Sequence, residues 1–115
     1  VGTDYPVVGL DPFQTIYAAV TRKDADGRLS GQNPWEVIDM ATVLKGYTYG
    51  AAYVYQAEDR TGSIEAGKCA NLIVLDQNLF TIDPEMIPDT KVLWNIFEGQ
   101  TIYDRLNNLA GASGI

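Results

Sequence analysis

Of the side chains able to do chemistry, Asp4 has the most telling surroundings, in the stretch Val1-Gly2-Thr3-Asp4-Tyr5-Pro6-Val7-Val8. An apolar lead-in, an acid and then a proline read as a strand end, a carboxylate and a loop. An aspartate in that place is a turn or cap residue, for which Asp is well suited. Alternatively it is a proton-handling group at the C-terminal end of a strand, where parallel α/β barrels put their catalytic side chains. These residues alone leave both readings open. Elsewhere the chemistry thins out. The chain has no histidine, the commonest metal ligand and near-neutral general base. Its one cysteine, Cys69, cannot form an internal disulfide and has no imidazole to activate it as a nucleophile. A P-loop, a G-x-S-x-G elbow and a C-x-x-C metal knuckle do not occur.

Two further patterns invite sharper readings. Asp24-Ala25-Asp26-Gly27 has the look of a calcium loop. With Gly27 at the turn position, however, Arg22 and Asn33 fall where the first and last carboxylates belong, so a solvated loop is the expectation. The seven tyrosines with Trp35 and Trp94 could form a sugar-stacking surface. Tyr17, Tyr53 and Trp94 nevertheless fall on core-facing phases of their elements, which favours packing.

The elements that must position these groups follow from local signals. Asp11-Pro12-Phe13-Gln14 is a helix start, with Asp11 as cap and Pro12 in the first turn. It predicts a helix over 12–21 with Phe13, Ile16, Tyr17 and Val20 on one face. Asn33-Pro34-Trp35-Glu36 repeats the signal and predicts a helix to Lys45 that turns Val37, Met40, Ala41 and Leu44 inward, with Gly46 as its stop. A third helix is expected over about 48–57, capped by Thr48. After Glu58-Asp59 the character changes. Leu72-Ile73-Val74-Leu75 reads as a strand buried on both faces, Asp83-Pro84-Glu85-Met86 as a helical turn, and Lys91–Phe97 with Gln100–Tyr103 as strands joined by Glu98-Gly99.

Eight Lys and Arg against 15 Asp and Glu give a net charge of −7, which repels phosphate backbones and anionic membrane surfaces. Nucleic acid and membrane are therefore not expected as partners. The hydrophobic share of 46% suits a packed domain, and no apolar run approaches the length of a bilayer span. Neither a basic n-region nor an apolar h-region opens the chain, so a cytoplasmic location is expected.

Three stretches resemble the C-terminal portion of the amidohydrolase superfamily, in the branch called amidohydrolase family 3. They are Gly2-Thr3-Asp4-Tyr5-Pro6-Val7, then Leu10-Asp11-Pro12 with Ala18-Ala19-Val20-Thr21-Arg22, and finally Tyr47–Tyr53 with Gly62-Ser63-Ile64-Glu65-Ala66-Gly67-Lys68 through Asp76. Thr3, Tyr5 and Asn71 depart from the family's usual Ser, Trp and Asp. The resemblance implies an α/β fold: the last strand and helices of a (β/α)8 barrel over 1–58, then the C-terminal share of a small composite β-sandwich over 59–106, with 107–115 as a flexible tail. Taken as an isolated chain, it should read as α+β.

The resemblance also implies a metal-dependent hydrolase, its divalent metal zinc, that cleaves an amide-type C–N bond of a small molecule by attack of metal-activated water. Asp4 is the residue it marks as both catalytic and metal-contacting. With no histidine to complete such a site, the 115 residues are expected to be an inactive fragment that holds no metal alone and self-associates through open strand edges. The rival expectation is a non-catalytic regulatory or assembly module derived from the same fold.

Overall fold

The computed structural model describes residue 1, residue 4, residues 9–24, residue 31 and residues 33–108. The strand end expected around Asp4, most of the Asp24–Gly27 loop and the tail beyond 108 lie outside the described residues.

Helix α1 (Pro12–Thr21) forms as its start signal requires. Asp11 is extended and its carboxylate accepts a hydrogen bond from the Phe13 N–H at 2.9 Å. The helix ends at Arg22, whose left-handed backbone (φ 60°) lets its N–H reach the Ala18 carbonyl. Phe13, Ile16 and Tyr17 are buried, and Val20 is half-buried.

The next helix departs from expectation. Asn33 takes a left-handed φ of 52° and caps nothing; Pro34–Glu36 is a single 3₁₀ turn and Val37 is extended. The Asn33 amide instead reaches the Glu36 carboxylate at 3.3 Å. Asp39 is the working cap, its carboxylate accepting from both the N–H and the hydroxyl of Thr42, and α2 covers only Met40–Lys45. This later start rotates the buried face. Val43 is 1% exposed, whereas Val37 is 48% exposed, Ala41 is exposed, and Met40 and Leu44 are half-buried.

Gly46 does not stop the helix. It is right-handed (φ −62°), and the backbone widens into a π turn over Gly46–Gly50 before α3 (Ala51–Val54). The separate helix capped by Thr48 is therefore absent. Gly46 is needed for space, since a Cβ there would lie 2.7 Å from the Val1 Cγ2. In α3 the buried residue is Ala52, while Tyr53 is 62% exposed and not in a core.

Strands β1 (Leu72–Leu75), β2 (Val92–Phe97) and β3 (Gln100–Asp104) form an antiparallel sheet in the order β1-β2-β3. Glu98 and Gly99 both take positive φ, 49° and 78°, the pairing a two-residue hairpin needs to match strand twist. Register shifts interrupt both ladders, between Val74 and Leu75 and between Asn95 and Ile96. β1 is an edge strand and is not buried on both faces: Ile73 is 54% and Val74 42% exposed. Trp94, opposite Val74, is likewise 43% exposed. Helix α4 (Arg105–Asn108) follows β3 and packs on β2 and β3.

The chain divides into two compact units, Val1–Tyr47 with Asn78–Thr90, and Thr48–Gln77 with Lys91–Ile115. The first has its core where α1 meets α2 and a 3₁₀ stretch, Pro84–Asp89. Phe13, Ile16, Tyr17, Val43, Leu79 and Ile87 fill it. Thr90, buried beside them, donates its hydroxyl to the Ile87 carbonyl at 2.7 Å. In the second unit Ala52 is the one fully buried apolar residue among those described. Gly62 (φ +94°) lies against it, with space for a Cβ only 2.6 Å from the Ala52 Cβ. Helices with a small antiparallel sheet make this a mixed α+β arrangement, as expected for the chain on its own.

Ile87 is 1% exposed and Val54 76% exposed. Ile87→Ala should therefore cost about 2–5 kcal/mol of stability through a cavity, while Val54→Ala should stay within about 0.5 kcal/mol. Urea unfolding of both variants beside the parent chain checks this.

Candidate functional site

Asp4 lies exposed in a turn with a left-handed φ of 49°. Aspartate and asparagine are the non-glycine residues best able to hold that conformation. Three residues earlier Val1 rests on Gly46; seven later Asp11 fixes the start of α1. Among the described residues, the Asp4 carboxylate, exposed, makes no hydrogen bond and no ion pair. Nor do the described residues contain a group of three or more His, Cys, Asp or Glu arranged to hold a metal ion. Asp4 fits a metal site as one hard oxygen donor and supplies nothing more. Of the supposed calcium loop, Asp24 is described and Asp26 lies outside the described residues.

The best-developed polar cluster was not foreseen from sequence. The Tyr17 hydroxyl donates to Glu85 Oε2 at 2.7 Å, and Lys23 Nζ donates to Glu85 Oε1 at 2.9 Å. The Lys23 and Tyr17 bonds hold the Glu85 carboxyl below the usual glutamate range. The same bond from Glu85, with burial second, raises the Tyr17 phenol, and Glu85 also raises Lys23. Each oxygen of Glu85 is thus committed, and the trio ties 78–90 to α1. The Asp83-Pro84 start signal revealed the turn that carries Glu85. Nothing in the sequence revealed its partner 68 residues away.

A second trio occupies the turn before β1. Lys68 Nζ donates to the Ser63 hydroxyl at 2.7 Å and pairs with Glu65 at 3.0 Å, while Ser63 donates to Glu65. The Lys68 ammonium also stands 5.7 Å from the centre of the Tyr49 ring. Ser63 and Lys68 together resemble a nucleophile with its base. Both, however, are engaged by Glu65, Ser63 through its hydroxyl and Lys68 through its ammonium. The Ser63 and Lys68 bonds lower the Glu65 carboxyl. This is a clip for the turn.

An open groove of about 480 Å³ has Val20, Val37, Ile38, Asp39, Phe80 and Ile87 among its lining. Asp39 is not free for chemistry: the Thr42 N–H, then its hydroxyl, hold that carboxyl below its ordinary value. The groove offers apolar contact and no reactive group. Two polar atoms, the Tyr47 hydroxyl and Glu58 Oε2, are buried without a hydrogen-bond partner among the described residues.

Residues 1–103 match the amidohydrolase family. Over 105 residues the chain is 30% identical to YtcJ of Bacillus subtilis (strain 168), which carries the name of an amidohydrolase; the aligned part is 90% of this chain and 20% of that protein. Over 103 residues it is 30% identical to N-substituted formamide deformylase of Arthrobacter pascens, covering 90% of this chain and 19% of the relative. The chain thus spans about a fifth of the length of these relatives. No solved structure matches it. No helix among the described residues is long and apolar enough to cross a membrane.

The Glu85 trio generates a pH dependence. Its folded-state pKa lies below the unfolded value, so its contribution is complete above the unfolded value and is lost as pH falls through the folded one. Glu85→Gln should be less stable than the parent at neutral pH, and the gap should close through the acid range below the ordinary glutamate value. Glu85 is 57% exposed on its side chain, so added salt should narrow the gap as well. Urea midpoints at neutral and acid pH, with and without salt, measure both effects.

Proposed function

The chain belongs to the amidohydrolase family, and from that membership we propose that it is the C-terminal part of a metal-dependent hydrolase cleaving an amide-type, non-peptide C–N bond. In this reading residues 1–58 end a (β/α)8 barrel, 59–106 supply one share of a small β-sandwich, and 107–115 form a tail. The observation that carries it is Asp4 itself. It lies within the matched residues, exposed and without a hydrogen bond or ion pair among the described residues.

A divalent ion of zinc type, when bound in the whole enzyme, would lower the pKa of a water and polarise the substrate carbonyl. Asp4 would contribute one oxygen to that ion's surroundings. Its carboxylate would also take the proton from the attacking water and pass it to the leaving nitrogen, a transfer that needs hydrogen-bond reach to both. The left-handed turn serves this role by fixing the direction of a short side chain with few rotamers. N-substituted formamides, named in the Arthrobacter relative, are the first substrate class to try. On its own the chain would be inactive and would hold no stoichiometric metal. Its open strand edges would lead it to self-associate. One exposed cysteine, Cys69, is in keeping with a reducing, cytoplasmic setting.

The reading is tested in the longer protein. Asp4→Asn keeps size and turn preference and removes the proton acceptor, so it should lower kcat on an amide-type substrate about 10²–10⁴-fold. Chelation should abolish turnover, and restored metal should recover it. Undiminished turnover by Asp4→Asn would remove Asp4 from the mechanism. A coding sequence upstream of Val1 with no H-x-H pair and no further histidines would overturn the hydrolase reading as a whole.

A further inference from the structure

The connections on the two sides of β2 differ in kind. β2 and β3 are joined through Glu98 and Gly99, a tight hairpin turn. β1 and β2 are also antiparallel neighbours, a pairing for which connections of about 2–5 residues are the rule. Here, however, the chain leaves the unit that holds the sheet after Gln77, runs through Asn78–Thr90 in the other unit and comes back at Lys91. Asp76 and Lys91, 15 residues apart in sequence, close the base of this excursion. The Asp76 N–H donates to the Lys91 carbonyl at 3.0 Å, and the Lys91 N–H donates to the Asp76 carboxylate at 2.9 Å.

The excursion has a structure of its own. Its first turn is closed by Asn78, whose carbonyl accepts from the N–H groups of Thr81 and Ile82 and whose side chain accepts from the Phe80 N–H. Asp83 then starts the 3₁₀ stretch by accepting from the Glu85 N–H. Leu79 and Ile87 enter the core of the first unit at 7% and 1% exposure. Glu85 accepts from Tyr17 of α1 and from Lys23 just beyond that helix.

We propose that residues 78–90 are a clasp, joined to the sheet by the chain and to the helical core by packing, so that β1 and β2 pair readily only while the clasp is docked on α1. The reason is chain entropy. Were the excursion free, pairing β1 with β2 would close a loop of 15 residues, a cost that grows with loop length and that a two-residue turn largely avoids. Docked, the segment holds one conformation and its two ends already stand at Asp76 and Lys91, the ordering offset by burial of Leu79 and Ile87. Pairing should then be favoured by on the order of tenfold over the undocked state. By linkage the paired strands favour docking by the same factor. The inference stands apart from the hydrolase reading, since it uses neither Asp4 nor a metal.

The test is hydrogen exchange, read peptide by peptide by mass spectrometry, in the longer protein, so that the sheet keeps all its neighbours. Ile87→Ala weakens docking of the clasp from within the first unit and alters no residue of the sheet. Exchange in the β1 peptide should speed up about tenfold, together with exchange in 84–89. The β3 peptide, held through its own two-residue turn, should stay within about twofold of the parent. Ile87→Val, a milder loss that keeps the chain folded, should give the same order with a smaller shift. Val54→Ala, at an exposed position of the second unit, should change none of the three.

An equal rise in the β1 and β3 peptides would mean that the structure opens all at once, and it would overturn the clasp. A β1 peptide that exchanges at the parent rate in both Ile87 variants would overturn it as well. Turnover by Asp4→Asn is read separately, so failure of the clasp leaves the hydrolase reading untouched, and failure of that reading leaves the clasp untouched.

Discussion

A buried tyrosine must find a hydrogen-bond acceptor, and much of the first unit is arranged by that requirement. Tyr17 is 4% exposed, on the face of α1 that Phe13 and Ile16 pull inward. Its hydroxyl would cost on the order of 1–3 kcal/mol if left unpaired there. Glu85 supplies the acceptor, and with it the segment 78–90 is drawn onto α1. The attachment then extends by apolar contact: Leu79 and Ile87 enter the same core, and Thr90 closes its own hydroxyl onto Ile87. Lys23 takes the second oxygen of Glu85, so the carboxylate remains charged beside a buried ring without facing that surface alone. The bond is single, but it joins a buried phenol to an acid 68 residues away and so favours the arrangement that brings them together.

The candidate site is tied to none of these groups by a hydrogen bond or ion pair among the described residues. Asp4 has a left-handed backbone (φ 49°), a conformation that aspartate tolerates. Three residues before it Val1 lies against Gly46, a contact that a side chain at 46 would block; seven after it Asp11 caps the helix whose buried face Tyr17 and Glu85 anchor. For the proton transfer proposed for Asp4, placement is decisive, since misplacement by about 1 Å costs on the order of 10²-fold in rate.

The parts of this structure legible in the sequence are those decided within four or five residues. Asp11-Pro12 marked α1, Asp83-Pro84 marked the 3₁₀ stretch, and Glu98-Gly99 marked the hairpin, each by chemistry confined to one turn. Legibility failed where two local signals competed or where distance decided. Asn33 and Asp39 both offer caps; Asp39 wins because it bonds Thr42 twice, by backbone and by hydroxyl. Gly46 looked like a stop, yet its value is the absence of a side chain facing Val1, a residue 45 positions away. The Tyr17–Glu85 pair and the apolar groove belong to the same class. For the site, Asp4 was visible as a carboxylate in an unusual place; it takes a left-handed turn, and the strand end expected before it lies outside the described residues. The companions a catalytic site requires are not among the described residues.

The largest disagreement concerns β1, and it is instructive because the sequence signal was not weak. Leu72-Ile73-Val74-Leu75 has the composition of a strand with apolar neighbours on both sides, and it sits at an edge with Ile73 and Val74 exposed. Composition records the surroundings in which a segment is stable, whereas exposure records the surroundings it has in one chain. When the two disagree in a strand with no charge or proline to defend its edge, the simplest physical account is a neighbour outside the described residues. The same argument does not extend to Tyr53 or Trp94. An amphipathic ring is content at a surface, with its polar tip in water and its body against the chain. An aliphatic edge strand has no polar tip, so covering it is the only way it gains.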